Sequence, residues 1–235
     1  MLESLRAKIE EQRLLRDVPG VAVGVRTAAG TAIECFGVTS VEHPLDVTPT
    51  SVFPVASVSK TLTATLIMQL IGEGRLSLTD ELRSVWPDYP RDDGVTIEHL
   101  LTHRAGWNGD AVLTMATDMI DTDRTSLAHL PHYLADIEVL APPGVVTTYN
   151  NMASSVLGRV AEVLTGQTFE HLIRSRLAEP GGLGPIGLCA DDVITERVAM
   201  PHGVDSAGDT VVIRRAGPRG RWSYPASSAP AGGVV

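Results

Sequence analysis

Lysine is nearly absent from this chain. Only Lys8 and Lys60 occur among its 19 basic residues, and the other basic residues are arginine. Aromatic residues make up 4% of the sequence, and the only two cysteines, Cys35 and Cys189, stand far apart with no CxxC or Cys/His ligand spacing. That cysteine usage argues against a disulfide framework or a structural zinc site and for two isolated thiols. No stretch approaches the roughly 18 apolar residues of a membrane span. The first fifteen residues alternate charged and apolar groups (Glu3, Arg6, Lys8, Glu10, Glu11, Arg13) and lack the apolar core of an export signal. They predict an amphipathic helix, and the chain is expected to be cytoplasmic. Positive charge is also in deficit, with a formal net charge of -9. An acidic surface repels polyphosphates and anionic headgroups, so neither nucleic acid nor a membrane is an expected partner.

What is present is a globular composition, 43% hydrophobic and 20% charged over 235 residues, enough to bury a substantial core. β-prone runs at 21–25 and 31–38, joined by Ala28, Ala29 and Gly30, predict an antiparallel hairpin. Leu62, Leu66, Met68, Leu70 and Ile71 crowd a low-charge helix over 57–71 that Gly72 and Gly74 stop. Helical patterns follow at 96–103, 125–138, 151–164 and 168–178, separated by Pro87, Pro90, Gly106 and the Pro142-Pro143-Gly144 turn. Beyond residue 179, glycine and proline punctuate β-prone fragments at 210–215 and 221–224. This order predicts an α+β fold, an antiparallel sheet flanked by helices with an inserted helical domain. The expected segments are 1–78 for the first part of the sheet domain with the 57–71 helix, 79–178 for the helical domain, and 179–235 for a return toward the sheet.

Ser57-Val58-Ser59-Lys60 opens the apolar helix directly after an extended run. Helical residues three apart share a face, so the Ser57 hydroxyl and the Lys60 amine fall one above the other. A serine hydroxyl is a weak nucleophile, and an adjacent amine able to take its proton activates it. Arginine could not do this, because its guanidinium does not deprotonate in proteins. A chain that otherwise uses arginine has lysine here. The bland alternative is an N-cap serine followed by a surface lysine. A second cluster, Tyr149-Asn150-Asn151, sits between a Pro-Gly turn and a helix start. Its tyrosine could relay a proton and Asn151 could hold a substrate carbonyl or orient the lysine. Alternatively either asparagine is an N-cap and Tyr149 a packing residue.

Taken in order, these pieces resemble the family of class C β-lactamases, D-alanyl-D-alanine carboxypeptidases and related esterases and transacylases, with their S-x-x-K and Y-x-N motifs. The stretch from His99 to Gly106 resembles the family's LLTHTSG segment, Pro143-Gly144 its PG lead-in, and Thr165-Gly166 its TG helix junction. The resemblance runs from about residue 18 to 235. It implies a β-lactamase/transpeptidase-like fold, incomplete in this chain, and an acyl-enzyme formed at Ser57 on an ester, amide or lactam carbonyl, with Lys60 and Tyr149 exchanging the proton. The acyl donor would be a small molecule or peptide, and no cofactor is implied. With no export signal visible, an esterase, amidase or transacylase is favoured over a secreted β-lactamase. The family's third motif, K-T-G or H-x-G, is absent, and the Ala231-Gly232-Gly233 stretch resembles one that precedes further strands. A C-terminal companion polypeptide completing the fold is therefore expected.

Rival constellations are thinner. His99 and His103 are four apart, but no H-E-x-x-H glutamate or third ligand accompanies them, so they read as loop-anchoring histidines and no metal is expected. Gly203 to Gly208 is one residue too long for a G-x-S-x-G elbow. Trp107 could line the substrate pocket or simply pack. The rival of another class is a binding or scaffold protein that keeps the fold without its chemistry.

Overall fold

The computed structural model describes residues 2–108, 127–184, 186–188, 190–193, 195–213 and 229–234. The chain divides into two compact units, Met1–Pro54 with Val193–Trp222, and Val55–Asp192 with Ser223–Val235. This division differs from the three segments read along the sequence, because the helix after Ser57 is grouped with the helices that follow it and not with the hairpin. The reason is packing: that helix buries its apolar stripe in their core.

The first unit opens with α1 (Leu2–Leu15), followed by β1 (Gly20–Thr27) and β2 (Gly30–Gly37). The two strands pair antiparallel from Gly20↔Gly37 to Thr27↔Gly30. The Thr27 hydroxyl accepts the Ala29 N–H across the tight turn. Val21, Val23 and Val25 are half-buried while Ala22, Gly24 and Arg26 are exposed, the alternation of a strand with one covered face. α1 packs against these strands. The Arg6 guanidinium lies 5.2 Å from the Phe36 ring centroid and pairs with Glu34, and Arg13 bonds to Glu10 and to the Val18 carbonyl. A second hairpin, β3 (His202–Val204) with β4 (Thr210–Val212), turns through Asp205, whose carboxylate accepts the Ala207 and Asp209 N–H groups. Among the described residues the antiparallel strands thus form two two-stranded sheets. The 221–224 fragment, Arg214, Arg215 and Cys189 lie outside the described residues. Cys35 is a free thiol.

The second unit is helical. A 3-10 turn, Ala56–Val58, leads into α2 (Ser59–Gly72), followed by α3 (Leu82–Val85), α4 (Ile97–Leu101) and α5 (Leu130–Leu134). Then come α6 (Asn151–Thr165), α7 (Phe169–Ile173), a π-helical turn Arg174–Ala178, a short turn Glu179–Gly181, and α8 (Ala229–Gly232). α2 buries Ser59, Thr63, Leu66, Ile67 and Leu70, one continuous stripe at helical spacing. α6 buries Met152, Val156 and Val160 against it, and Leu82, Trp86, Ile97, Leu100, Leu130, Leu134 and Phe169 complete the core. The helix expected over 125–138 is shorter, a 3-10 turn plus α5, and residues 125 and 126 are outside the described residues. α8 approaches α6 closely at Gly158, where a Cβ would sit 2.4 Å from Pro230 Cγ. Gly106 has φ 79° and a Cβ there would meet the Ala141 carbonyl oxygen at 2.0 Å, so only glycine fits. No helix among the described residues is long and apolar enough to cross a membrane.

Candidate functional site

The second unit brings Ser57, Lys60, Tyr149 and Asn151 together. Ser57 occupies the 3-10 turn and is exposed, and Ala56 before it takes a left-handed φ of 45°. The turn is pinned from beneath. The fully buried Ser59 hydroxyl donates to the Ala56 carbonyl at 2.7 Å and accepts the Val234 N–H at 3.1 Å. One turn on, the Thr63 hydroxyl donates to the Pro230 carbonyl at 2.7 Å. α2 and the 229–234 segment are thus stitched together around the serine.

Lys60 follows on the same helix face as Ser57, as its spacing predicts. Its Nζ donates to Ser57 Oγ at 3.2 Å, Asn151 Oδ1 at 2.7 Å and the Ala231 carbonyl at 2.5 Å. Three acceptors match the three donors of an ammonium. The Tyr149 hydroxyl lies 2.8 Å from Ser57 Oγ, and Lys60 Nζ is 4.8 Å from the tyrosine ring centroid. Loss of solvent is the largest single influence on the Tyr149 phenol and pushes its pKa up. The nearness of the Lys60 amine, the hydrogen bond with Ser57 and the Lys60 charge together outweigh it, so the net direction is down. A phenol made more acidic, in contact with a serine hydroxyl, can exchange a proton with it.

The two asparagines divide the roles left open by the sequence. Asn150 is the N-cap of α6: it is buried, its Oδ1 accepts the Ala153 N–H at 3.1 Å, and its Nδ2 donates to the Trp107 carbonyl. Asn151, one residue on, turns its Oδ1 to Lys60. Trp107, read as a pocket-lining candidate, is 1% exposed and belongs to the hydrophobic core, where its backbone pairs with Val139. It packs rather than facing solvent.

The histidines are separated by their backbones. His99 closes a capping box with Thr96 at the start of α4. His103 lies beyond the helix end with φ 57°, and its Nδ1 accepts the Asn150 N–H. Among the described residues no group of three or more His, Cys, Asp or Glu could hold a metal ion. The Ala231 carbonyl is the contact that the motifs did not reveal. A backbone acceptor leaves no mark on residue type, and the only available signal was the Ala-Gly-Gly stretch itself.

A serine at the start of a buried helix in an α+β chain, with an amine and a phenol on its hydroxyl, is an arrangement of the β-lactamase kind. The family profile described as Beta-lactamase matches residues 5–235, and the chain belongs to the serine β-lactamase and penicillin-binding-protein family. It is 35% identical over 228 residues to a protein from Amycolatopsis lactamdurans named Penicillin-binding protein 4, covering 91% of this chain and 58% of that one. It is 31% identical over 166 residues to Esterase EstB of Burkholderia gladioli, covering 65% of this chain and 42% of that one. Among solved structures, the octameric penicillin-binding protein homologue from Pyrococcus abyssi superposes with a TM-score of 0.83 at 26% identity, over 99% of this chain and 53% of that one. A class C β-lactamase shares the fold with a TM-score of 0.78 at 22% identity. The chain covers 58% and 42% of the two relatives and 53% and 60% of the two solved structures.

Proposed function

We propose that this chain carries the nucleophilic machinery of a serine acyl-transfer enzyme that forms an acyl-enzyme at Ser57 on an ester, amide or lactam carbonyl. The observation that carries the proposal is the double contact on Ser57 Oγ, from Lys60 Nζ at 3.2 Å and the Tyr149 hydroxyl at 2.8 Å. In the acylation step, Ser57 Oγ bonds to the substrate carbonyl carbon as its proton passes toward Tyr149. The bond to the leaving group then breaks, and the leaving group takes that proton. Lys60, fixed by Asn151 and Ala231, favours the tyrosine oxygen in its deprotonated form and lends positive charge to the reacting oxygen. Water or another nucleophile then takes the acyl group. The Ser57 N–H would be one oxyanion donor, an interaction worth about 3 kcal/mol.

Relatives named as a penicillin-binding protein and an esterase support acyl transfer as the chemistry, and an esterase, amidase or transacylase remains the favoured class. A strand bearing the third motif of the family, K-T-G or H-x-G, would complete the site. The activity is tested with p-nitrophenyl esters, nitrocefin and D-amino-acid amides, following turnover and the intact mass of the protein. A mass increase on Ser57 that disappears in Ser57→Ala is expected. Equal labelling of both proteins would refute the assignment, and a folded protein that takes no label would favour a scaffold role.

A further inference from the structure

His103 touches the site at three points and donates no hydrogen bond to any of them. Its carbonyl accepts the Thr148 N–H at 2.9 Å, and its Nδ1 accepts the Asn150 N–H at 3.2 Å. Its ring lies against the Tyr149 ring, with centroids 4.8 Å apart and planes inclined by 38°. These contacts bracket Tyr149 on both sides in sequence and on one face of its ring. Tyr149 needs such support because it is 54% exposed. The neighbouring backbone reinforces the arrangement, since the Gly144 N–H donates to the Arg104 carbonyl and the Arg104 guanidinium donates to the Gly144 carbonyl. His103 holds a left-handed φ of 57°, a region uncommon for residues other than glycine in which asparagine, aspartate and histidine are over-represented.

We propose that His103 is a positioning residue for Tyr149, holding the phenol on Ser57 only while its imidazole is neutral. The role rests on the acyl-transfer reading above. The acceptor at Nδ1 places the ring proton on Nε2. Protonation puts a second N–H at Nδ1, facing the Asn150 N–H, so two donors meet and the 148–150 backbone must shift. Burial, and then the Lys60 charge, hold the His103 pKa below its ordinary value, which keeps the neutral form near neutral pH. The charged and titratable groups around it are Lys60 on α2 and Tyr149 before α6. On its own segment stand Arg104, engaged with Gly144, and His99, whose Nδ1 accepts the Thr96 N–H. Protonation of Tyr149 also slows acylation at low pH, so the share of the acid limb that belongs to His103 is the share that disappears in His103→Asn.

The test is the rate of Ser57 acylation by p-nitrophenyl acetate from pH 5 to 9 in the wild type, His103→Asn and His99→Gln. Asparagine tolerates the left-handed backbone and can keep an acceptor near Nδ1, but it lacks the ring and does not titrate. Glutamine at residue 99 preserves the capping box. His103→Asn is expected to acylate about 10–100-fold more slowly at pH 8, the scale of a small misplacement of a reacting group, with KM changed less than about threefold. The midpoint of its low-pH limb should differ from the one that the wild type and His99→Gln share. A rate within about twofold of wild type with the same pH profile overturns the proposal. Should His103→Asn not fold, ¹⁵N shifts of the wild-type imidazole decide: an Nε2–H tautomer whose titration coincides with the acid limb supports the role, and any other tautomer or midpoint overturns it. A wild type that never acylates at Ser57 overturns the acyl-transfer reading and this role with it.

Discussion

Leu66, Ile67 and Leu70 of the helical unit are completely buried, whereas Phe36, the best-buried side chain of the β1–β2 hairpin, keeps 7% of its surface and Ile33 keeps 48%. Both regions follow simple local patterns, one of period 3.6 and one of period 2. They differ in what those patterns can close upon. A helix satisfies its own backbone and needs only an apolar stripe on a neighbour. A hairpin leaves strand edges with unpaired N–H and C=O groups and buries one face at most. The side chains of the candidate site stand in the region that closes. Lys60 adjoins the buried Ser59 and Thr63, and Asn151 adjoins the buried Asn150 and Met152, so packing fixes where they point.

The contrast can be broken most directly by emptying the helical core. Leu66→Ala should cost about 2–5 kcal/mol in urea unfolding, while Ile33→Ala in the hairpin should stay within about 0.5 kcal/mol. Similar costs for the two would show that the hairpin is as tightly built as the helices. Next in size is Tyr149→Phe, expected to slow acylation roughly 10²-fold or more while the thermal midpoint is unchanged, because the hydroxyl of a half-exposed ring holds no core contact. A loss of stability equal to the loss of rate would return Tyr149 to a packing role.

A smaller effect distinguishes the helical unit at alkaline pH. The buried Tyr89 hydroxyl donates to both Asp93 oxygens, at 3.1 and 2.9 Å. Burial first, and then the charge and hydrogen bond of Asp93, push its pKa well up. Its contribution is therefore fully present below the unfolded tyrosine value of about 10 and is lost as pH rises above it, because the unfolded chain then binds fewer protons. Unfolding at pH 9 and 11 should show this loss in the wild type and a smaller one in Tyr89→Phe. An equal slope in the two would assign the loss to other groups. Smallest is Arg6→Ala in the hairpin unit, where the pair with Glu34 is solvent-exposed, so a change of about 1 kcal/mol or less is expected by urea unfolding.

Local signals carried far along this chain. The helix after Ser57, the helix from Asn151 and the 20–37 hairpin all stand within a few residues of where periodicity and glycine placed them. The Ser57 and Lys60 pairing was legible because three residues of helix bring two side chains together whatever surrounds them. The Asn150 and Asn151 roles were not, since adjacent asparagines at a helix start are equivalent in sequence until packing buries one. Trp107 was ambiguous for the same reason, and the structure places it in the core.

The sequence by itself therefore determined the α+β class, the family, and the pairing of the Ser57 hydroxyl with the Lys60 amine, all properties of short-range geometry and residue chemistry. Only the tertiary structure decided the rest. It carried Tyr149 and Asn151 across about ninety residues of chain to Ser57 and Lys60, set the Ala231 carbonyl as the third acceptor, and placed His103 against Tyr149. Those contacts depend on how α2, α6 and the 229–234 segment pack, and backbone carbonyls and ring faces join a site through position alone.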